Sequence, residues 1–466
     1  MKKRLVMAVL AMSMTLGACG TTGNQPAAPE VPVNTTEPTQ AETPTGAPAS
    51  EAPVPVKVEE PLPEVSSNAQ NLTEGLGTIQ APDAGITHEQ TEALAKASLQ
   101  LFAEAVKREG EHPNVLLSPT SIQIAFGMTE NGAKGGTLAQ MEKVIGGGIV
   151  IDEMNPLLHS LSDRLRSSQE AEWNVANSIW FKNDGHWRVK DDFAQKALSW
   201  YGADIWEAPF DDSTITDINN WVAKETKGMI PGIIDQIPED ARMYLVNAMA
   251  FEGEWLSEYT DNEIFENCQF TNADGSTSNV TMLWSNEDSY FTLGDGTGFV
   301  RDYKGDEYSF MGLLPAEGTD LDAYIASLAA EDVDLAAAIK NSEYGNVIVE
   351  IPEFTDDYDI EMSEMLKDMG MDLPFDRAAA DFTDMMEPVD VDGNQIWIGR
   401  VLHKTHIEVD RVGTRAAAVT AIEVEAEDSC EEYEEPVMII LDRPFIYGII
   451  DNETGLPVFL GCVNTL

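Results

Sequence analysis

The stretch Gly413-Thr414-Arg415-Ala416-Ala417-Ala418-Val419-Thr420-Ala421-Ile422-Glu423-Val424-Glu425-Ala426-Glu427 reads as a β-strand with one face made for burial. Split by parity, one face takes Thr414, Ala416, Ala418, Thr420, Ile422, Val424 and Ala426, and carries no charge. The other takes Arg415, Ala417, Val419, Ala421, Glu423, Glu425 and Glu427, with charge at both ends. Successive side chains of a strand point to opposite faces, so a period of two marks a half-buried strand. The alternation lapses at Asp428.

Two features separate this stretch from a permanent core strand. Its buried face is built of small residues, whereas a fully buried Leu or Ile gains about 2–3 kcal/mol. It also runs into an acidic segment, 427–435, that must stay in water. Residues 412–435 hold no proline, so every N–H is available for pairing. A strand that slides between two others is driven mainly by backbone hydrogen bonds, about 1 kcal/mol net each. An alanine-rich helix over 416–421 is the competing reading, weakened by Val419 and the flanking threonines.

Immediately upstream stands His403-Lys404-Thr405-His406-Ile407-Glu408-Val409-Asp410. With Gly413-Thr414 and Ala416-Ala417-Ala418-Val419-Thr420 it resembles the hinge signature of the serpins. Further motifs of that family follow in order along the chain. They are Asn114-Val115-Leu116-Leu117-Ser118-Pro119-Thr120-Ser121-Ile122, the run from Gly132-Ala133 to Gln140, and Asn219-Asn220-Trp221-Val222. Leu245-Val246-Asn247-Ala248 with Phe251, Gly253 and Trp255 comes next, then Leu314-Pro315, Asp381-Phe382, Arg443-Pro444-Phe445 and Phe459-Leu460-Gly461.

The resemblance implies an α+β serpin fold of three β-sheets and eight or nine helices, with an exposed reactive-centre loop over about 411–436. It implies a protease inhibitor rather than an enzyme: the loop is bait, and after cleavage it enters the large sheet as a new strand and drags the acyl-bound protease along. No cofactor and no metal are implied, and no catalytic residue. Gly413, Thr414, Ala416, Ala417, Ala418, Val419 and Thr420 form the hinge. Counting from Gly413 puts the reactive bond at Glu427–Asp428, with Asp428–Ser429 as the one-residue alternative; counting back from Pro444 points nearer Tyr433. Ser118, Ser121, Asn247 and His403 match the family's cluster beneath the opening point of the sheet, and Trp255 is either its aromatic or ordinary core. The chain departs from the pattern at Arg411, Val412 and Arg415, where acids are usual. Arg411 either loses an ion pair at the base of the loop or exchanges it for one of reversed sign.

An acidic specificity residue points to a serine protease that prefers Glu or Asp. A cationic elastase-like protease that accepts Val424, Ala426 or Cys430 is the rival target, steered by a formal net charge of −53. That charge repels phosphate backbones, so nucleic acid is a poor partner. A non-inhibitory serpin-fold binding or adhesion module is the alternative function, and the small hinge residues argue against it. A monomer is expected.

The first residues have the layout of an export signal: Lys2, Lys3 and Arg4, a short apolar run, then Leu16-Gly17-Ala18-Cys19. Residues 1–18 read as a lipoprotein signal peptide and Cys19 as the lipidated residue that ties the chain to a membrane surface, with an ordinary signal peptide as the plainer reading. Residues 19–84 read as a disordered Pro/Thr/Glu-rich tether with Lys57 its only basic residue and no aromatics. Residues 85–466 form the serpin domain, exported and extracytoplasmic. Cys268, Cys430 and Cys462 are left over, an odd number that indicates no disulfide framework.

Enzyme signatures are missing. There is no G-x-S-x-G, H-E-x-x-H or C-x-x-C. Gly132-Ala133-Lys134-Gly135-Gly136-Thr137 lacks the G-K-[ST] ending of a phosphate loop.

Overall fold

A computed structural model describes residues 62–79, 85–331, 333–389, 396–414 and 435–466. Cys19, the hinge residues Ala416, Ala417, Ala418, Val419 and Thr420, the reactive-bond residues Glu427, Asp428 and Ser429, and Cys430 lie outside them.

The helices begin where local chemistry sets them. Thr87 caps His88–Glu109 through a reciprocal pair with Gln90. Ser118 caps Pro119–Glu130 by accepting from the Ser121 N–H, with Pro119 in the first turn where its missing donor costs nothing. Nine α-helices occur among the described residues. None is long and apolar enough to cross a membrane.

Three sheets are present, as the resemblance implies. The large one has seven strands in the spatial order Gln70–Asn71, Asp204–Ala208, Ala171–Lys182, Met243–Glu254, Gly413–Thr414, Arg400–Val409 and Phe354–Glu361. A nine-stranded sheet is joined through the 17-residue strand Thr277–Leu293, which pairs with Ile264–Thr271, Gly296–Asp302 and Glu343–Pro352. Met386–Pro388 and Trp187–Val189 form a two-stranded ribbon.

The faces of the large sheet are separate cores. Leu245, Met249 and Phe251 join the main cluster against the nine-stranded sheet. Tyr244, Val246, Ala248 and Ala250 turn the other way and pack with Ile218 and Trp221 of the helix Asp212–Glu225. The strand Met243–Glu254 is therefore buried on both sides and reads as a continuous apolar run.

The folded unit begins before residue 85, which corrects the tether boundary. Residues 62–79 lie on the domain: Gln70–Asn71 pairs with Asp204–Ala208 at the sheet edge. The backbone N–H and hydroxyl of Ser66 donate to the buried Asp217 at 2.7 and 2.8 Å. Leu72 and Leu76 pack on the main core, Val65 and Ala69 on the second. The disorder argument concerned a segment's power to build its own core. This one needs only a few apolar anchors because it adds to an existing edge.

Candidate functional site

Two adjacent strands, Met243–Glu254 and Arg400–Val409, define the site. They pair in parallel from Arg400 opposite Tyr244 to His406 opposite Ala250, with His403 opposite Asn247. Above this stretch Gly413 and Thr414 stand between them, pairing antiparallel with Glu254 and Gly253 on one side and with Val409 on the other. The expected exposed loop thus does not begin at 411: Gly413 is buried and Thr414 is 0% exposed. A side chain at Gly413 would collide with the Gly253 carbonyl and put a carbon 2.7 Å from Glu254 Cα, so only glycine allows this approach.

The hinge is tied from three directions. The Tyr303 hydroxyl meets Thr414 Oγ1 at 2.6 Å. Asp410 Oδ1 accepts from the N–H groups of Val412 and Gly413, closing the turn. Trp255 donates its backbone N–H to Val412 O and its ring N–H to Asp410 O, at 2.9 and 2.8 Å. Trp255 also stacks on Tyr303 at 4.8 Å, and the Arg301 guanidinium lies over Trp255 and Tyr259. The Tyr259 N–H donates to Arg411 O. Arg411 has the pair of reversed sign: its Nε is 3.6 Å from Glu353 Oε1.

Below the hinge the structure brings Ser118, Ser121, Asn247 and His403 together, each 0–1% exposed. The Asn247 amide donates to Ser121 Oγ, Ser121 O and Asn177 Oδ1. The Ser118 backbone N–H donates to His403 Nε2 at 3.0 Å. That donor fixes the tautomer: Nε2 accepts, so Nδ1 carries the proton and donates to Asn247 Oδ1. Ser118 Oγ donates to Val458 O and accepts from the Ser121 N–H. Burial pushes the His403 pKa down to about 3, so the ring is neutral. The cluster has no nucleophile–base pair facing a substrate space. It ties both strands to the first turn of one helix.

Tyr303, Asn177, Glu353 and Asp410 belong to this site and are absent from the sequence-based set. Tyr303 and Glu353 carry no local signal, since their partners are 111 and 58 positions away. Asp410 had one: an Asp two residues before the N–H it binds is a turn signature. Among the described residues Cys268 and Cys462 are free thiols, and burial pushes the Cys462 pKa up.

A family model described as "Serpin (serine protease inhibitor)" matches residues 92–466. Glia-derived nexin of Homo sapiens is 29% identical over 387 residues, covering 79% of this chain and 92% of that one. Neuroserpin of Gallus gallus is 28% identical over 389 residues, 80% of this chain and 90% of that one. Among solved structures, the thermophilic serpin tengpin in the native state is 36% identical, with a TM-score of 0.79 over 86% of this chain and all of that chain. The same protein in the latent state gives 0.70 at 34% identity, over 83% and 100%. A strand slot with a hinge seated at its top, in a chain matched over this length, has one reading: the protein belongs to the serpin family of serine protease inhibitors.

Proposed function

We propose that this serpin inhibits a serine-type endopeptidase as a suicide substrate, by inserting its loop into the large sheet, and that Cys19 carries a lipid that displays it at the cell surface. The observation that carries the inhibitory reading is the position of Gly413 and Thr414. They already pair with both strands that would flank the inserted loop, so insertion extends an existing strand and needs no new nucleus. Small side chains over 416–421 suit passage between two strands. The buried cluster around Asn247 and His403 is the gate: each pairwise bond must be broken or rearranged when the strands part. Cleavage releases the loop, and the native state is held kinetically until then.

In this reading Glu427–Asp428 is the reactive bond, with Asp428–Ser429 as the alternative, and the target prefers an acidic residue or is a cationic elastase-like protease. The test is incubation with a protease panel, a search for denaturant-stable complexes, and sequencing of the released C-terminal peptide. A complex with a cut at 427–429 is the expected result. Simple cleavage with no complex and no gain in thermal stability would leave a non-inhibitory binding module. Lipid attachment is tested separately, by mass spectrometry of the mature N-terminus in wild type and Cys19→Ser.

A further inference from the structure

The helix Pro119–Glu130 has the gate at one end and a buried acid at the other. Its N-cap Ser118 holds His403, and Ser121 holds Asn247. Twelve residues, at a rise of about 1.5 Å each, set the far end about 18 Å away. There Glu130 is 1% exposed, and neither of its carboxyl oxygens has a hydrogen-bond partner among the described residues. Glutamate is almost never fully buried unless paired.

The surroundings of Glu130 do not favour a charge. Asn131 Nδ2 donates to Asn155 Oδ1 at 2.7 Å, and Asn155 Nδ2 donates back to Asn131 Oδ1 at 3.1 Å. Tyr201 Oη donates to Asn155 Oδ1 at 2.6 Å. This network joins the helix end to the helices Ile151–Ser167 and Asp191–Tyr201 and leaves Glu130 out. The packing is tight: a Cβ at Gly127 would stand 2.7 Å from both Leu158 Cδ1 and Tyr201 Oη. Glu142, on the helix Gly135–Ile145, faces Glu130 with like charge, and Tyr201 is the other titratable group that faces it. Arg166 donates to the Tyr201 carbonyl and Lys134 pairs with Asp384 at 2.7 Å, so neither answers Glu130. The other neighbours of the helix meet it nearer the gate and without charge. His88–Glu109 does so through Leu94 O and Ser98 against Gln123, Met243–Glu254 through Asn247, Ala171–Lys182 through Asn177 beside Asn247, and Pro457–Val463 through Pro457 O. Burial first, then Glu142, pushes the Glu130 carboxyl well above the usual carboxylate range. The negative end of the helix acts in the same sense.

We propose that Glu130 is a proton-controlled wedge on the gate helix: neutral, it lets the helix end sit in its dry corner; ionised, it drives that end toward water and loosens the hold of Ser118 and Ser121. An ionised carboxylate kept there would be an uncompensated buried charge, which penalises the native place of the helix. The unfolded chain releases this proton at the ordinary value, and the folded chain only at higher pH. Stability from this group is therefore full in acid and is lost as the pH rises through the folded value. His403, at the other end, acts in the opposite sense, and the two slopes oppose each other between pH 4.5 and 6.5. The stability effect stands whatever the loop does; only its bearing on loop entry rests on the inhibitory reading.

The experiment compares the full wild-type chain with Glu130→Gln, which keeps the shape and removes the charge. The readouts are melting temperature and amide exchange at pH 5 and pH 8, each pair compared at equal pH so that intrinsic exchange cancels. The variant is expected to melt above wild type, with a gap that widens from pH 5 to pH 8. At pH 8 its exchange is expected to be about tenfold slower at 127–131, 118–121 and 247–250, since a group held in one protonation state shifts the equilibrium about tenfold per pH unit. Glu142→Gln keeps the Oε1 that accepts from the Ile151 N–H at 2.8 Å and should give a smaller change of the same sign. A gap that is absent, or equal at the two pH values, overturns the wedge. A widening gap with slower exchange at 127–131 alone overturns the link to the gate. A chain that shows every one of these effects but traps no protease at either pH overturns the inhibitory reading and leaves the wedge standing.

Discussion

Within one sheet, the strands Met243–Glu254 and Arg400–Val409 meet in two different ways. Over residues 244–250 and 400–406 they are paired directly. At Gly253, Glu254 and Val409 they are parted by Gly413 and Thr414. The closed part is held by side chains that reach to a helix beneath: His403 to Ser118, Asn247 to Ser121. The parted part is held by the hinge backbone, by the Asp410 turn and by Tyr303. The two arrangements differ in what must be lost for the boundary between them to move. Moving it downward trades one parallel ladder for two antiparallel ones, which gains backbone bonds, but it first disturbs the buried polar cluster that links Asn247, His403, Ser118 and Ser121.

The largest expected break in this comparison is Thr414→Arg. It puts a charge where Thr414 is 0% exposed, at a cost of at least several kcal/mol. The hinge should be expelled, the loop cut as a substrate, and no denaturant-stable complex formed; a variant that still traps its protease would show that Thr414 need not be buried. Asn247→Ala acts on the closed part. It leaves His403 and Ser121 without their shared partner, about 2–3 kcal/mol. A lower melting temperature and faster loss of activity on warming are expected.

Acid tests the same cluster by another route. The folded His403 pKa, about 3, lies below the ordinary 6.5. Between these values the unfolded chain binds the proton and the folded chain does not. Stability from this group is therefore full above pH 6.5 and falls as the pH drops, about 1.4 kcal/mol per unit, or roughly 2 kcal/mol at pH 5. His403→Gln should flatten that slope in urea titrations at pH 7 and 5. Comparison of the two proteins cancels the many carboxylates, and identical slopes would remove His403 as the cause.

Tyr303→Phe removes one hydrogen bond to Thr414 and should lower stability by about 1 kcal/mol, with a measurable shift in the native melting temperature. Arg411→Ala is expected to do least. Its pair with Glu353 is long and half exposed, a geometry worth 0–1 kcal/mol, and a large effect would mean that the reversed pair anchors the loop's base.

Much of the frame was legible in the chain. The β-forming apolar runs 173–181, 446–451 and 457–463 end within two residues of the strands Ala171–Lys182, Phe445–Asp451 and Pro457–Val463. Phe354–Glu361 is hard to read as a strand from the sequence although Phe354, Asp356, Tyr358 and Ile360 alternate inward; the acidic residues between them, and the buried Asp356 held by the Tyr447 hydroxyl, obscure the half-buried pattern. Residues 62–79 read as tether in the sequence because composition describes what a segment can bury by itself, and this one borrows the edge of a sheet.

What the sequence determined by itself was local: the alternation over 413–427, the caps at Thr87 and Ser118, and the glycine at 413. Each depends on neighbours within a few positions, where backbone geometry alone sets the pattern. Tertiary structure alone decided that Glu353 answers Arg411, that Tyr303 meets Thr414, that a backbone N–H sets the His403 tautomer, and that the hinge already parts two strands. Those contacts join residues far apart in the chain, and only sheet order and register bring such residues within bonding distance.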